Sequence, residues 1–132
     1  MYKAEILQIY FHYRTDNAPT IYENINAFNK YSEYNVISIN ANTGFPKNLY
    51  KINFKVIILH YSSFLSLTKE FFDYIRSQSN SIVVAFYQDE YTHCKKRFDL
   101  MIDLNVKYVY TLLEEDSFYL YKDNTNVEKV FN

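Results

Sequence analysis

The chain has 132 residues, 48% of them hydrophobic and 20% aromatic, with 15 Tyr, 11 Phe and no Trp. That is enough apolar surface for one compact domain without disulfides or metals, and too little length for two domains. Lys and Arg number 14 against 15 Asp and Glu, a net charge of -1, so no positive surplus exists to neutralise a nucleic-acid backbone or to hold a polybasic membrane anchor.

Single residues exclude further classes. Gly44 is the one glycine, which removes the Gly-rich phosphate-cradling turns of dinucleotide-binding folds, P-loops and kinases. Cys94 is the one cysteine, so an intramolecular disulfide is impossible and a reducing cytoplasm suits the chain. The apolar N-terminal stretch is broken by Gln8 and followed by His12 and Arg14, too polar for a signal peptide. No run approaches the roughly 18 apolar residues of a membrane span, so no transmembrane segment is expected.

In chain order, 4–13 reads as a strand buried on both faces. A polar loop over 14–19 follows. Ile21, Ile25 and Phe28 then share one helical face behind Thr20 as N-cap, with Glu23 three residues on, so a helix is predicted over about 21–34. A short second strand occupies 35–40. The stretch 41–53 holds Gly44 and Pro46 and reads as loop with about one helical turn. The most apolar run, Val56-Ile57-Ile58-Leu59, marks a central strand over 54–61. Leu67, Phe71 and Ile75 place a second helix over 68–78, and 82–87 is a fourth strand. Thr92 caps a third helix whose Phe98, Met101 and Ile102 point inward while Lys95, Lys96 and Asp99 face water. A fifth strand spans 106–113, and the tail beyond about 115 has no assigned element. Apolar strands alternating with helices imply right-handed crossovers and a parallel sheet covered on both faces, an α/β three-layer Rossmann-like domain of about five strands.

In such a sheet ligands bind beyond the carboxyl ends of the strands, where loops and helix N-termini converge. The residues there are His12, Tyr13, Arg14 and Asp16 after the first strand, Asn40 and Asn42 after the second, and His60, Tyr61 and Ser62 after the third. Gln88, Asp89, Glu90 and Tyr91 follow the fourth, and Thr111, Glu114 and Glu115 the fifth. His60 ends the most hydrophobic strand, where an imidazole with a reference pKa of about 6.5 serves as a general base, a binder of a polar substrate group, or a partner of loop backbone. Asp89 and Glu90 are neighbours that diverge on extended chain, so they make no carboxylate pair, and either is suited to cap the following helix. Arg14 and Asp16 before a helix N-terminus suit an anionic or hydroxyl-rich ligand, or a solvated ion pair. His12, His60 and His93 lack metal-ligand spacing, and Cys94 beside His93 diverges from it by about 100° on a helix, so no metal is expected. A receiver domain needs an acceptor Asp where His60 stands, and a flavodoxin needs a Ser/Thr/Gly-rich loop where 14–20 stands.

Three stretches taken together, 14–20 leading into Glu23-Asn24-Ile25 and Phe28, then His60-Tyr61-Ser62, then Gln88-Asp89-Glu90-Tyr91, resemble the N-terminal domain of bacterial GT-B glycosyltransferases of the family-4-like group. The resemblance covers roughly 6–115. It implies an acceptor-side role, in binding a carbohydrate acceptor, for Arg14, Asp16, His60, Ser62, Gln88, Asp89, Glu90 and Tyr91. It assigns no catalytic residue. In such enzymes a second domain binds most of the nucleotide-sugar donor. The donor is therefore expected only with that second domain, no cofactor is expected in this chain, and the chain alone is expected to be catalytically silent. The expectation is an excised or truncated domain, a non-enzymatic binding domain of the same fold, or one half of a split enzyme. Its partner is then a donor-domain polypeptide, or a second copy through self-association at an open edge or cleft face.

Overall fold

The apolar runs that lack strict alternation become the interior strands of one parallel sheet, since each must bury both faces. The computed structural model describes residues 2–3, 5–12, 19–88, 90 and 93–132. Its main sheet has strands β1 (Ile6–Tyr10), β2 (Val36–Asn40), β3 (Val56–Leu59), β4 (Ile82–Tyr87), β5 (Val106–Thr111) and β6 (Lys129–Phe131). The helices are α1 (Pro19–Tyr31), α2 (Lys69–Ser77), α3 (Cys94–Asp103) and α4 (Tyr119–Asn124). The spatial order is β2-β1-β3-β4-β5-β6 with every pairing parallel.

Handedness then assigns the layers. The chain moves one way across the sheet from β1 to β2 and the opposite way at every later step. With right-handed crossovers, that puts α1 on one face and α2, α3 and α4 on the other. The larger core lies on the three-helix face, where Leu7, Ile9, Ile57, Leu59, Ala85 and Val109 meet Phe71, Tyr74, Ile75, Phe98, Met101 and Tyr121. Each such side chain contributes about 1.5–3 kcal/mol on burial. Under α1 a smaller core gathers Ile6, Ile58 and Val84 with Phe28, Phe86 and Tyr108. In register, Gln8, Ile58, Val84 and Tyr108 form one row on that face, and Ile9, Leu59, Ala85 and Val109 form the adjacent row on the other.

The sheet has six strands rather than about five because the tail adds β6. A strand of three residues carries too little periodicity to be recognised, and its pairing with β5 is what creates it. The first helix starts at Pro19, so Thr20 sits inside its first turn and does not cap it from outside. Proline is well placed there, since its fixed φ suits a first turn and its missing N–H is not needed. The stretch predicted as loop holds two short 3₁₀ helices, Ala41–Thr43 and Lys47–Lys51, and Ile52–Asn53 pairs with Tyr2–Lys3 as a separate parallel ladder. Ile102 was expected inward and is 43% exposed. The buried stripe runs Phe98, Met101, Leu104, and Ile102 lies one residue, about 100°, off it. Thr92, the predicted cap of α3, lies outside the described residues. Among the described residues no helix is long and apolar enough to cross a membrane.

These positions separate in stability. Met101→Ala opens a cavity in the larger core and is expected to destabilise by about 2–5 kcal/mol, whereas Ile102→Ala at the exposed flank is expected to cost under about 1 kcal/mol. Denaturant midpoints of the two variants check the assignment.

Candidate functional site

A cleft of about 510 Å³ opens at the carboxyl ends of the strands, on the α1 face of the sheet and beside the point where strand order reverses at β1. Such reversal points open a crevice because the flanking loops leave toward opposite faces. Gln8 of β1, His60 and Tyr61 after β3, Phe86 to Gln88 at the end of β4, and Tyr110 to Leu112 at the end of β5 line it, with Asn24 and Phe28 of α1 and Asn132 after β6.

His60 is positioned by backbone before its ring is considered. Its N–H extends the ladder to the Ile9 carbonyl at 2.9 Å, and the chain then turns through Tyr61 and Ser62. The Ser62 hydroxyl lies 2.8 Å from Nδ1 and accepts the Phe11 N–H at 3.0 Å. The Ser62 N–H also donates to Nδ1, at 3.3 Å. Nδ1 is thus the acceptor of the ring, and the ring proton sits on Nε2. The side chain is 2% exposed, and burial lowers its pKa to about 4. At neutral pH the imidazole is uncharged with its basic nitrogen already engaged. That arrangement presents an N–H to a ligand oxygen and is poorly suited to removing a proton. The Tyr61 ring lies 4.1 Å from the imidazole, tilted by 37°.

Gln8 is the one polar residue inside β1, and its amide donates to the Ser38 hydroxyl at 3.3 Å. The Ser38 hydroxyl in turn donates to Asn29 Oδ1 at 2.8 Å. This chain of bonds fixes a buried amide against the floor of the cleft. Phe28 of α1 meets Phe86 edge to face at 6.0 Å, closing one wall. Gln88 is half-buried, and its carbonyl accepts from Arg97 Nη1 at 3.3 Å. No Asp, Glu, Lys or Arg among the described residues lines the cleft.

Other strand-end residues serve the frame. Asn40 Oδ1 accepts the His12 N–H at 3.1 Å, and the Asn40 and Asn42 amides donate to the His12 carbonyl at 3.1 and 3.3 Å. The His12 ring is buried with neither nitrogen hydrogen-bonded, 4.0 Å from the Tyr22 ring. Glu90 is buried, and it meets Tyr121, which belongs to the larger core on the three-helix face. Its Oε1 accepts from the Thr111 hydroxyl and from the Tyr121 hydroxyl at 2.8 Å, which ties the loop after β4 to the end of β5 and to α4. Burial pushes the Tyr121 phenol well above its usual range, so it donates throughout.

Of the strand-end residues singled out from the sequence, His60, Tyr61, Gln88 and Thr111 line the cleft and Ser62 holds His60. Glu90 is turned away from the cleft, and Arg14, Asp16, Asp89 and Tyr91 lie outside the described residues. Sequence reasoning missed Gln8, Asn24, Phe86, Tyr110, Leu112 and Asn132. Gln8 had a visible signal, a lone amide within an apolar strand; the others reach the cleft only through pairing and packing. Among the described residues no group of His, Cys, Asp and Glu has the geometry of a metal site. No protein family, curated protein or solved structure matches the chain.

The unfolded chain takes up a proton on His60 near 6.5 and the folded chain only near 4, so protonation favours unfolding and stability falls as pH falls through that window. About 2 kcal/mol is expected to be lost from this group between pH 6.5 and 5, and His60→Gln is expected to flatten that part of the profile. Parallel profiles for the two proteins would refute it. At the second site, Glu90→Ala strands two buried hydroxyl donors and is expected to cost about 2–4 kcal/mol, with Glu90→Gln milder because it retains an acceptor. Thermal unfolding of both variants measures the difference.

Proposed function

We propose that the chain supplies the acceptor side of a sugar-transfer cleft, in the manner of the GT-B N-terminal domain it resembles, and that by itself it binds and does not transfer. The observation that carries this reading is the chemistry of the cleft: neutral amides of Gln8, Asn24, Gln88 and Asn132 and a neutral imidazole, set among Phe28, Tyr61, Phe86 and Tyr110. Amides and an N–H meet hydroxyl groups as donors and acceptors, and aromatic rings take the apolar C–H face of a pyranose. A nucleotide diphosphate needs cations or converging backbone N–H groups, and the described lining has no cation. The donor then falls to a second, donor-binding domain, and a donor-domain polypeptide is the matching partner. A reducing cytoplasm, where nucleotide sugars and a lone cysteine both fit, is the compartment this reading assigns.

The same lack of charge favours a second reading, a carbohydrate-binding domain without an enzymatic partner. Copurification of a donor-binding polypeptide with the native protein separates the two. For the first part of the proposal, amide NMR titration with glucose, galactose, N-acetylglucosamine and their disaccharides is expected to shift His60, Tyr61 and Gln88 together. Shifts scattered away from these residues, or none, would overturn it, and a nucleotide-sugar alone is expected to shift them weakly.

A further inference from the structure

Two polar side chains of the cleft are almost wholly buried, and each keeps one polar atom without a protein partner. Gln8 is 1% exposed and His60 2%, yet both line the cleft. The single proton of the Ser38 hydroxyl goes to Asn29 Oδ1, so toward Gln8 that hydroxyl acts as acceptor and takes the Nε2 donor. The Gln8 amide is thereby oriented, and its Oε1, an acceptor with no partner among the described residues, is left to the cleft. At His60 the hydroxyl and N–H of Ser62 occupy Nδ1, which leaves Nε2–H as the free donor. Gln8 pairs with Ile58. His60 follows Ile58 by two residues on the same face, so an acceptor and a donor stand on neighbouring strands with their backbones roughly 8 Å apart.

We infer that this pair recognises an acetamido group, so that the cleft prefers an N-acetylhexosamine over the parent hexose. The inference rests on the carbohydrate reading of the cleft and names the ligand class within it. A trans amide carries a carbonyl and an N–H that point in opposite directions, so its two partners stand about 8 Å apart, two hydrogen-bond lengths plus the width of the group. His60 Nε2–H donates to the acetyl carbonyl, and Gln8 Oε1 accepts the amide N–H. A hydroxyl bridging the same two atoms needs them within about 5 Å, because one oxygen serves both. The acetyl methyl has its own place: Phe28 and Phe86 meet edge to face at 6.0 Å and line the same cleft, and a methyl needs carbon contact rather than an open ring face. A charged substituent, such as the ammonium of an unacetylated hexosamine, finds no opposite charge among the described lining residues.

Calorimetric titration of the full chain with matched sugars tests the inference: glucose against N-acetylglucosamine, and galactose against N-acetylgalactosamine. In at least one pair the N-acetyl sugar is expected to bind about tenfold more tightly, the scale of two neutral hydrogen bonds and a methyl contact after desolvation. Glucosamine, which has the nitrogen without the acetyl group, is expected to show no such gain. Ser38→Ala removes the anchor of the Gln8 amide, lets it turn over, and is expected to bring the affinity ratio within the pair toward one. Isotope-filtered NOE spectra of the unaltered protein, which do not depend on that variant folding, are expected to link the acetyl methyl to the Phe28 and Phe86 rings. Hexose binding with equal affinities within both pairs, a preference that survives Ser38→Ala in folded protein, or methyl contacts elsewhere overturns the acetamido assignment and leaves the proposed function standing. No binding of any of these sugars overturns both.

Discussion

One constraint organises this molecule: a right-handed connection between parallel strands, applied to a chain that changes its direction of travel across the sheet once. The first step runs from β1 to β2, and all later steps run the other way past β1. Handedness then leaves no choice about layers. Three helices share one face and enclose the larger core, while α1 alone serves the other. The cleft and its floor are consequences of that single reversal.

The same geometry separates two polar side chains that share a rim. His60 follows Leu59, and by strand alternation it falls on the α1 side with Ile58, where the cleft opens. Glu90 leaves the rim for the other side and takes hydrogen bonds from Thr111 and Tyr121. Burial leaves the His60 imidazole neutral and directional. Glu90 has two hydroxyls donating to one oxygen, which makes it a clasp between α4 and the sheet.

These placements decide what chemistry the surface can offer. With His60 unprotonated and bound through Nδ1, the described lining of the cleft offers neither an available base nor a cation. Recognition of neutral hydroxyls is what amides, an N–H and aromatic rings do well. The proposed binding role, with the reacting group left to another domain, draws its support from these side chains.

Local pattern was enough for the six-residue strand at Ile82–Tyr87, for the helices around Phe71 and Phe98, and for the alternation that implies a parallel sheet, because periodicity and apolar runs are properties of neighbouring residues. It also placed His60 and Gln88 at the carboxyl-end rim of the sheet, since the end of an apolar strand is visible in one dimension. Pattern did not reveal β6, whose three residues become a strand by pairing with β5, nor the outward turn of Ile102, which depends on which residue of α3 meets Tyr121 and the sheet. Gln8, Asn24, Tyr110 and Asn132 are far apart in the chain and meet only because β1, β5, β6 and α1 converge on one cleft. Which face each side chain occupies depends on register and crossover handedness, and these exist only once the sheet is assembled.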